Sequence, residues 1–456
     1  MQTKKKSKAP KKILFRVLLS AALALVLAAA VCLTFFLTGK WYKDREAALN
    51  AKASEALESL RASYEEEREG ALFDLDLLLQ VDKIARENAL TPPEKEALTE
   101  ALLTAYAQAF GDKNTLYYSA EQYLSVTEEQ NGSFVGIGVS VRALDETHAT
   151  NGKLLVLSVF DGSPAAEIGI LPGDVLTAAD GVSFEGMTAA EAAKLVKGEA
   201  GTSVTLTAER NGERLSFTAV RRTVTETCVY SRMMENGIAY IRITDFTRVT
   251  AAQFASAMKA TEDAKGIVFD LRSNPGGYVT SLVDCLSALL PNGPILHVNY
   301  AKESASYHYE KKDGELLYVH SDGTYDLKKT ECDASGSLTR PCAVLIDRHT
   351  ASAGEAFAAA LRDYTEKGAL NARLFGETSY GKGSVQITYK LENNAAFRLT
   401  VATYDPPYGE NYHGVGVAPN EFVALHSGYE GALPETIPSD KDAPLAAALE
   451  WLSAQK

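Results

Sequence analysis

GIVFDLRSNPGGYVTSLVDCLSALL, residues 266–290, holds the pattern that decides the fold. An apolar run of strand length leads into Arg272-Ser273-Asn274-Pro275-Gly276-Gly277, which is turn chemistry, and residues 280–290 read as a helix. The same alternation repeats on either side. Residues 238–243, 343–347, 372–375, 385–391 and 397–403 read as strands, and 251–264 and 352–365 as helices. Strands alternating with helices imply a layered α/β core, here over 224–435, with a short helical tail over 436–456. The polar stretch 300–340 reads as an irregular insertion or a flexible hairpin.

Upstream the pattern changes. Residues 132–141, GSFVGIGVSV, alternate like one strand, and 154–160 make another. A short helix follows at 163–169 and an amphipathic one at 187–198. Residues 202–220 read as a hairpin turning at Asn211–Gly212. Residues 132–223 thus form a compact β-rich module. Residues 39–131 are dominated by Ala, Glu, Leu and Lys and read as a helical arm broken at Pro92–Pro93. Leu77, Val81 and Ile84 fall at helical spacing, which suits a surface-packing arm and leaves a homodimer open.

The N-terminus is basic over 1–12, with Arg16 close behind, and Val17 to Thr38 carries no charge. That uncharged run of 22 residues is long enough for a transmembrane helix, placed at 13–38. The preceding positive flank keeps the N-terminus cytoplasmic and puts everything after Lys40 outside. A cleaved signal at Ala28 and Ala30 would instead make the protein secreted, but Leu33, Phe35, Phe36 and Leu37 continue the apolar run past that point. The net charge of −13 hides a body after residue 45 with 36 basic and 58 acidic side chains, a poor partner for nucleic acid. The five cysteines show no CxxC or zinc spacing; Cys332 and Cys342 either close a loop or stay thiols.

Two more segments join the 270–277 turn as carriers of chemistry. Thr350-Ala351-Ser352-Ala353-Gly354-Glu355 places Ser352 at a helix N-terminus, where it is either a reactive hydroxyl or simply half of a Ser-x-x-Glu capping box. Gly376 to Gly383 nearly matches a phosphate-binding loop, but Gly383 stands where Ser or Thr is needed and a strand follows in place of a helix. Nucleotide binding is therefore excluded. Glycines around Lys382 suit close packing about an amine, and burial lowers a lysine's pKa toward that of a general base. None of the seven histidines has a familiar catalytic setting, and no HExxH or carboxylate cluster suggests a metal.

GSFVGIGV, GSPAAEIGILPGDVL, FDLRSNPGG, TASAGEAF, GKGSVQ and GVGVAPN follow one another in an order that resembles the C-terminal processing peptidases, which include the tail-specific proteases. The resemblance covers Tyr117 to Phe422. It implies a crotonase-like core with Ser352 as nucleophile, Lys382 as general base and Gln386 orienting the lysine. The N–H groups of Gly276 and Ala353 match the oxyanion hole. The 132–223 module matches a PDZ domain whose Gly136, Ile137 and Gly138 hold a substrate's terminal carboxylate, with the tail adding as a strand beside Val139 to Val141. No metal or cofactor is implied, and the partners are proteins or peptides with accessible C-termini. The chain departs from the family in the 30 positions from Ser352 to Lys382, about five more than usual, with the extra residues around 366–371, and in Ser273, where asparagine is common. The expected function is an extracytoplasmic serine endopeptidase. The alternatives are a catalytically inactive PDZ receptor for protein tails and, more remotely, another acyl chemistry on an enoyl-hydratase-like fold.

Overall fold

The computed structural model describes residues 68–144, 153–160, 162–429 and 434–455, with scattered positions between 51 and 66. The expected transmembrane segment and Cys32 lie outside the described residues. Among the described residues no helix is long and apolar enough to cross a membrane. The chain divides into a unit ending at Ala105 and a unit from Tyr106 to the end.

In the first unit α1 (Leu75–Asn88) is capped by Asp74, whose side chain accepts the Leu77 N–H at 2.9 Å. The chain then breaks around Pro92–Pro93, as the prolines require, before α2 (Lys95–Gln108), whose last three residues belong to the second unit. Leu77, Val81 and Ile84 are all exposed on α1.

In the second unit β1 (Leu116–Tyr118) and α3 (Ala120–Asn131) lead into the β-rich module. The 132–141 stretch is two strands, not one. β2 (Ser133–Gly136) and β3 (Val139–Ala143) join different sheets, because Gly138 turns the chain at φ +82°. A Cβ there would lie 2.3 Å from that of Ser163, so only glycine fits. There follow β4 (Leu154–Val159), α4 (Pro164–Glu167), β5 (Val175–Ala179), β6 (Val182–Ser183), α5 (Ala189–Val196), β7 (Ser203–Arg210), β8 (Glu213–Val220) and β9 (Arg222–Thr225). The main sheet runs β3-β4-β5-β7-β8, leaving β3 at an edge, and β2 pairs with β9 to close the module at its root. Asn211 and Gly212 both take positive φ, as a two-residue hairpin turn demands.

The core continues with β10 (Val229–Met233), β11 (Ile238–Ile243), α6 (Thr250–Ala260), β12 (Gly266–Asp270), α7 (Val279–Leu289), β13 (Gly293–Tyr300), β14 (Tyr307–Lys312), β15 (Glu315–His320), β16 (Tyr325–Lys328), β17 (Cys342–Ile346), α8 (Ala353–Glu366), β18 (Ala372–Gly376), β19 (Ser384–Lys390), β20 (Ala396–Asp405), β21 (Glu421–Phe422) and α9 (Ala443–Ser453). One sheet runs β10-β11-β12-β17-β18-β21, parallel from β11 onward. Its central strands are buried on both faces, which is why they read as largely apolar runs. Phe254, Leu286 and Phe357 from α6, α7 and α8 fill one face, while Leu445, Ala448 and Leu452 of α9 cover the other. The second sheet, β1-β20-β13-β14-β15-β16 with β19 beside β20, is antiparallel.

One further expectation needs correction, and the choice left open for Cys332 and Cys342 is decided. The 300–340 insertion holds a regular meander, β14 to β16, that extends the second sheet. Buried Lys311 anchors it by donating to the carbonyls of Ser287 and Leu290 at 2.7 and 2.8 Å, at the C-terminal end of α7. No Cys332–Cys342 bridge forms: the four described cysteines are free and buried. Cys342 opens β17, whereas Cys332 lies against Cys285 of α7 and the Ala251 carbonyl.

Candidate active site

Open parallel sheets present their sites at the carboxyl ends of the strands. Here β12, β17 and β18 are neighbours, and the segments that follow them are 271–278, 347–352 and 377–383, the three marked by sequence chemistry. Fold topology alone brings them together.

Their contact is dense. The Ala351 N–H donates to the Asn274 carbonyl at 2.8 Å, and the Thr350 hydroxyl to the Leu271 carbonyl at 2.9 Å. Asp347 accepts the Ser273 N–H at 2.9 Å. Gly276, at φ +107°, lies so close that a Cβ on it would sit 2.5 Å from that of Ser352. Ser352 occupies the turn into α8 at φ 53°, ψ −118°, a conformation unfavourable for a side-chain-bearing residue and typical of one held for function.

Glu355 joins the serine segment to the lysine segment. It is fully buried, and its carboxylate accepts the N–H groups of Ser352 at 2.8 Å, Gly381 at 2.6 Å and Lys382 at 2.7 Å, and the Ser379 hydroxyl at 2.5 Å. Tyr404 adds a second link. Its hydroxyl donates to the Lys382 carbonyl at 2.6 Å and lies within reach of the Ser352 side chain. Lys382 is held below the ordinary lysine value, chiefly by burial and next by the Arg398 charge. Lys113 adds to the depression, while Asp112 and Glu355 oppose it.

The β-rich module carries an apolar groove between β3 and α5, with an empty volume of about 400 Å³. Phe134, Ile137, Val139, Val141, Ala193 and Val196 are among its lining residues. The open edge of β3 runs along it.

Residues 237–423 match the profile of peptidase family S41, and residues 155–210 match that of the PDZ domain. The chain is 31% identical over 364 residues to the carboxy-terminal-processing protease of Bartonella bacilliformis, covering 77% of this chain and 76% of that protein. The chain belongs to the carboxy-terminal processing proteases of peptidase family S41. It is also 32% identical over 330 residues to the carboxy-terminal processing protease CtpA of Bacillus subtilis, spanning 72% of this chain and 64% of that relative's length. Among solved structures, the photosystem II D1 C-terminal processing protease aligns with a TM-score of 0.42 at 22% identity, over 81% of this chain and 90% of that one.

Within this S41 core the residues singled out from sequence are not all placed alike. The backbones of Ser352, Ala353, Gly276 and Lys382 come together, Gly276 by close approach and Lys382 through Glu355. The Gly276 N–H, however, donates to the Asn274 side-chain carbonyl at 2.8 Å, so in this arrangement it is committed within its own turn. Gln386 directs its amide nitrogen to the hydroxyls of Ser384 at 3.0 Å and Thr400 at 3.1 Å, and no hydrogen bond joins it to Lys382. Gly136, Ile137, Gly138 and Val139 all line the PDZ groove. The extra residues around 366–371 connect α8 to the start of β18, at the opposite end of the sheet from Lys382, so they leave the site undisturbed. Sequence reasoning missed Glu355 as more than a helix cap, and missed Tyr404 and Asp347 altogether. Their partners lie far along the chain, and only the Ser-x-x-Glu spacing gave any signal.

Proposed function

We propose that this chain is a serine endopeptidase that takes substrate proteins by their C-terminal tails and cleaves them with Ser352 and Lys382. The tail adds as a strand along β3, its terminal carboxylate held by the backbone of Gly136, Ile137 and Gly138, which delivers an upstream peptide bond to the cleft. Neutral Lys382 takes the Ser352 proton, Ser352 attacks the carbonyl, and the N–H groups of Gly276 and Ala353 stabilise the oxyanion. The tetrahedral intermediate collapses with the C–N bond breaking, protonated Lys382 returns its proton to the departing amine, and water then hydrolyses the acyl-enzyme to free the acid and Ser352. Gln386 orients the lysine. The N-terminal segment holds the protein in the membrane as a single-pass anchor, with the catalytic part outside the cytoplasm.

The observation that carries this reading is the Glu355 carboxylate bonding to both Ser352 and Lys382 backbones, beside a lysine whose charged form burial disfavours. Ser352→Ala or Lys382→Ala should lower cleavage of an unfolded protein by roughly four orders of magnitude with the fold intact by circular dichroism. Undiminished turnover in either variant overturns the reading.

One observation favours the second reading, a PDZ receptor without activity: the Gly276 N–H is bonded to Asn274 and not turned toward a substrate. Under that reading tail peptides bind, but neither unfolded proteins nor activated esters are turned over.

A further inference from the structure

The short segment between α2 and β1 reaches the lysine side of the site. Asp112 folds into a tight turn, its carboxylate accepting the Asn114 N–H at 3.0 Å and the Thr115 hydroxyl at 2.8 Å. The same carboxylate accepts the Thr400 hydroxyl. Thr400 stands opposite Gln386 in the β19–β20 ladder and accepts its side-chain N–H.

The chemistry of this chain of groups has one direction. An ionised carboxylate only accepts, so Thr400 spends its single proton on Asp112. Thr400 then offers Gln386 only lone pairs, which fixes the amide with nitrogen toward Thr400 and Ser384 and leaves its carbonyl oxygen free. A free acceptor is what a lysine amine needs from a glutamine that orients it. We propose that Asp112 is a positioning residue for Lys382, acting through Thr400 and Gln386, so that a residue upstream of the PDZ domain completes the protease site. This rests on the Ser352–Lys382 reading above.

The charges around Lys382 point the same way. Arg398 of β20 and Lys113 lower its pKa, while Asp112 and Glu355 raise it against burial. Lys113 is itself tied down by Tyr380, stacked on its ring at 4.4 Å and bonded to its hydroxyl. Losing the Asp112 charge should therefore depress the lysine further.

The test is the pH profile of kcat/KM for purified full-length protein on an unfolded protein substrate, with Ser352→Ala as control. Asp112→Asn should lose about ten- to a hundredfold in rate and move the acid limb about one unit lower. Asp112→Glu should return the limb toward wild type. Thr400→Val breaks the relay but keeps the charge, so it should lose rate with the limb unmoved, and it carries the test if Asp112→Asn fails to fold. An Asp112→Asn enzyme with an unmoved limb, or a Thr400→Val enzyme at full rate, overturns the inference even when Ser352→Ala is dead. An active Ser352→Ala enzyme instead overturns the dyad on which the inference rests.

Discussion

Ser352 and Lys382 sit 30 positions apart in sequence, and one carboxylate sets their relation. Glu355 takes two N–H groups and a hydroxyl from the lysine segment and one N–H from Ser352 itself. A carboxamide has only one acceptor oxygen, so Glu355→Gln strands buried donors at about 1–3 kcal/mol each. Stopped assays on that variant should show kcat down about a hundredfold with KM nearly unchanged. The lysine makes a separate prediction. Only its neutral form is a base, so kcat/KM should rise with pH through a single ionisation that lies below the ordinary lysine value of about 10.4. A limb at or above that value would show that the amine is not held as described. Much of this was legible at the outset: a hydroxyl at a helix start and a lysine among glycines mark themselves. Glu355 was not, because a capping residue and a clamp on a distant segment carry the same letter. Asp112 and Thr400 were invisible for a stronger reason, since 288 positions separate them.

Among elements, the C-terminal helix does more than cover the sheet. Asp442 caps α9 by accepting the Leu445 N–H at 3.2 Å, and it also bonds both terminal nitrogens of Arg272 at 2.7 and 2.9 Å. Arg272, 2% exposed, returns to Asp270 at 2.5 Å, so the turn that bears Gly276 is anchored to the tail. Asp442→Ala leaves a buried guanidinium with one partner fewer and should lower stability in urea unfolding by about 3–5 kcal/mol. Burial pushes the Asp270 carboxyl up, but the Arg272 charge and hydrogen bonds outweigh it and hold it below the usual range. Its stabilising contribution is therefore complete above its unfolded value of about 3.9 and fades only as pH falls through the lower folded value. The elements themselves divide by burial in how well sequence reveals them. β11, β12 and β17 are buried at every position and mostly apolar because helices cover both faces. β16 is exposed at every position, so its polar residues resemble a loop. The break at Gly138 was hidden because alternation continues across it while the chain changes sheets.

Across the whole second unit, the PDZ module and the S41 core are distinct parts linked through α3 and β1. Glu121 of α3 pairs with Lys194 of the PDZ helix α5 at 2.5 Å, and α3 follows directly on β1, whose register partner β20 carries Thr400. The PDZ groove is apolar, so Val141→Asp should raise KM for a protein substrate with an apolar tail by about tenfold while a small activated ester, which needs no groove, is turned over as before. Loss of ester turnover in that variant would contradict a groove that only delivers substrate. The account as a whole rests on a neutral lysine activating a strained serine. Its most direct measurement is the rate at which a fluorophosphonate labels the protein, with the modified residue located by mass spectrometry. Labelling at Ser352 in the wild type, slowed about a hundredfold or more in Lys382→Ala, is the predicted result; labelling of Lys382→Ala at the wild-type rate, or none at Ser352, would contradict it.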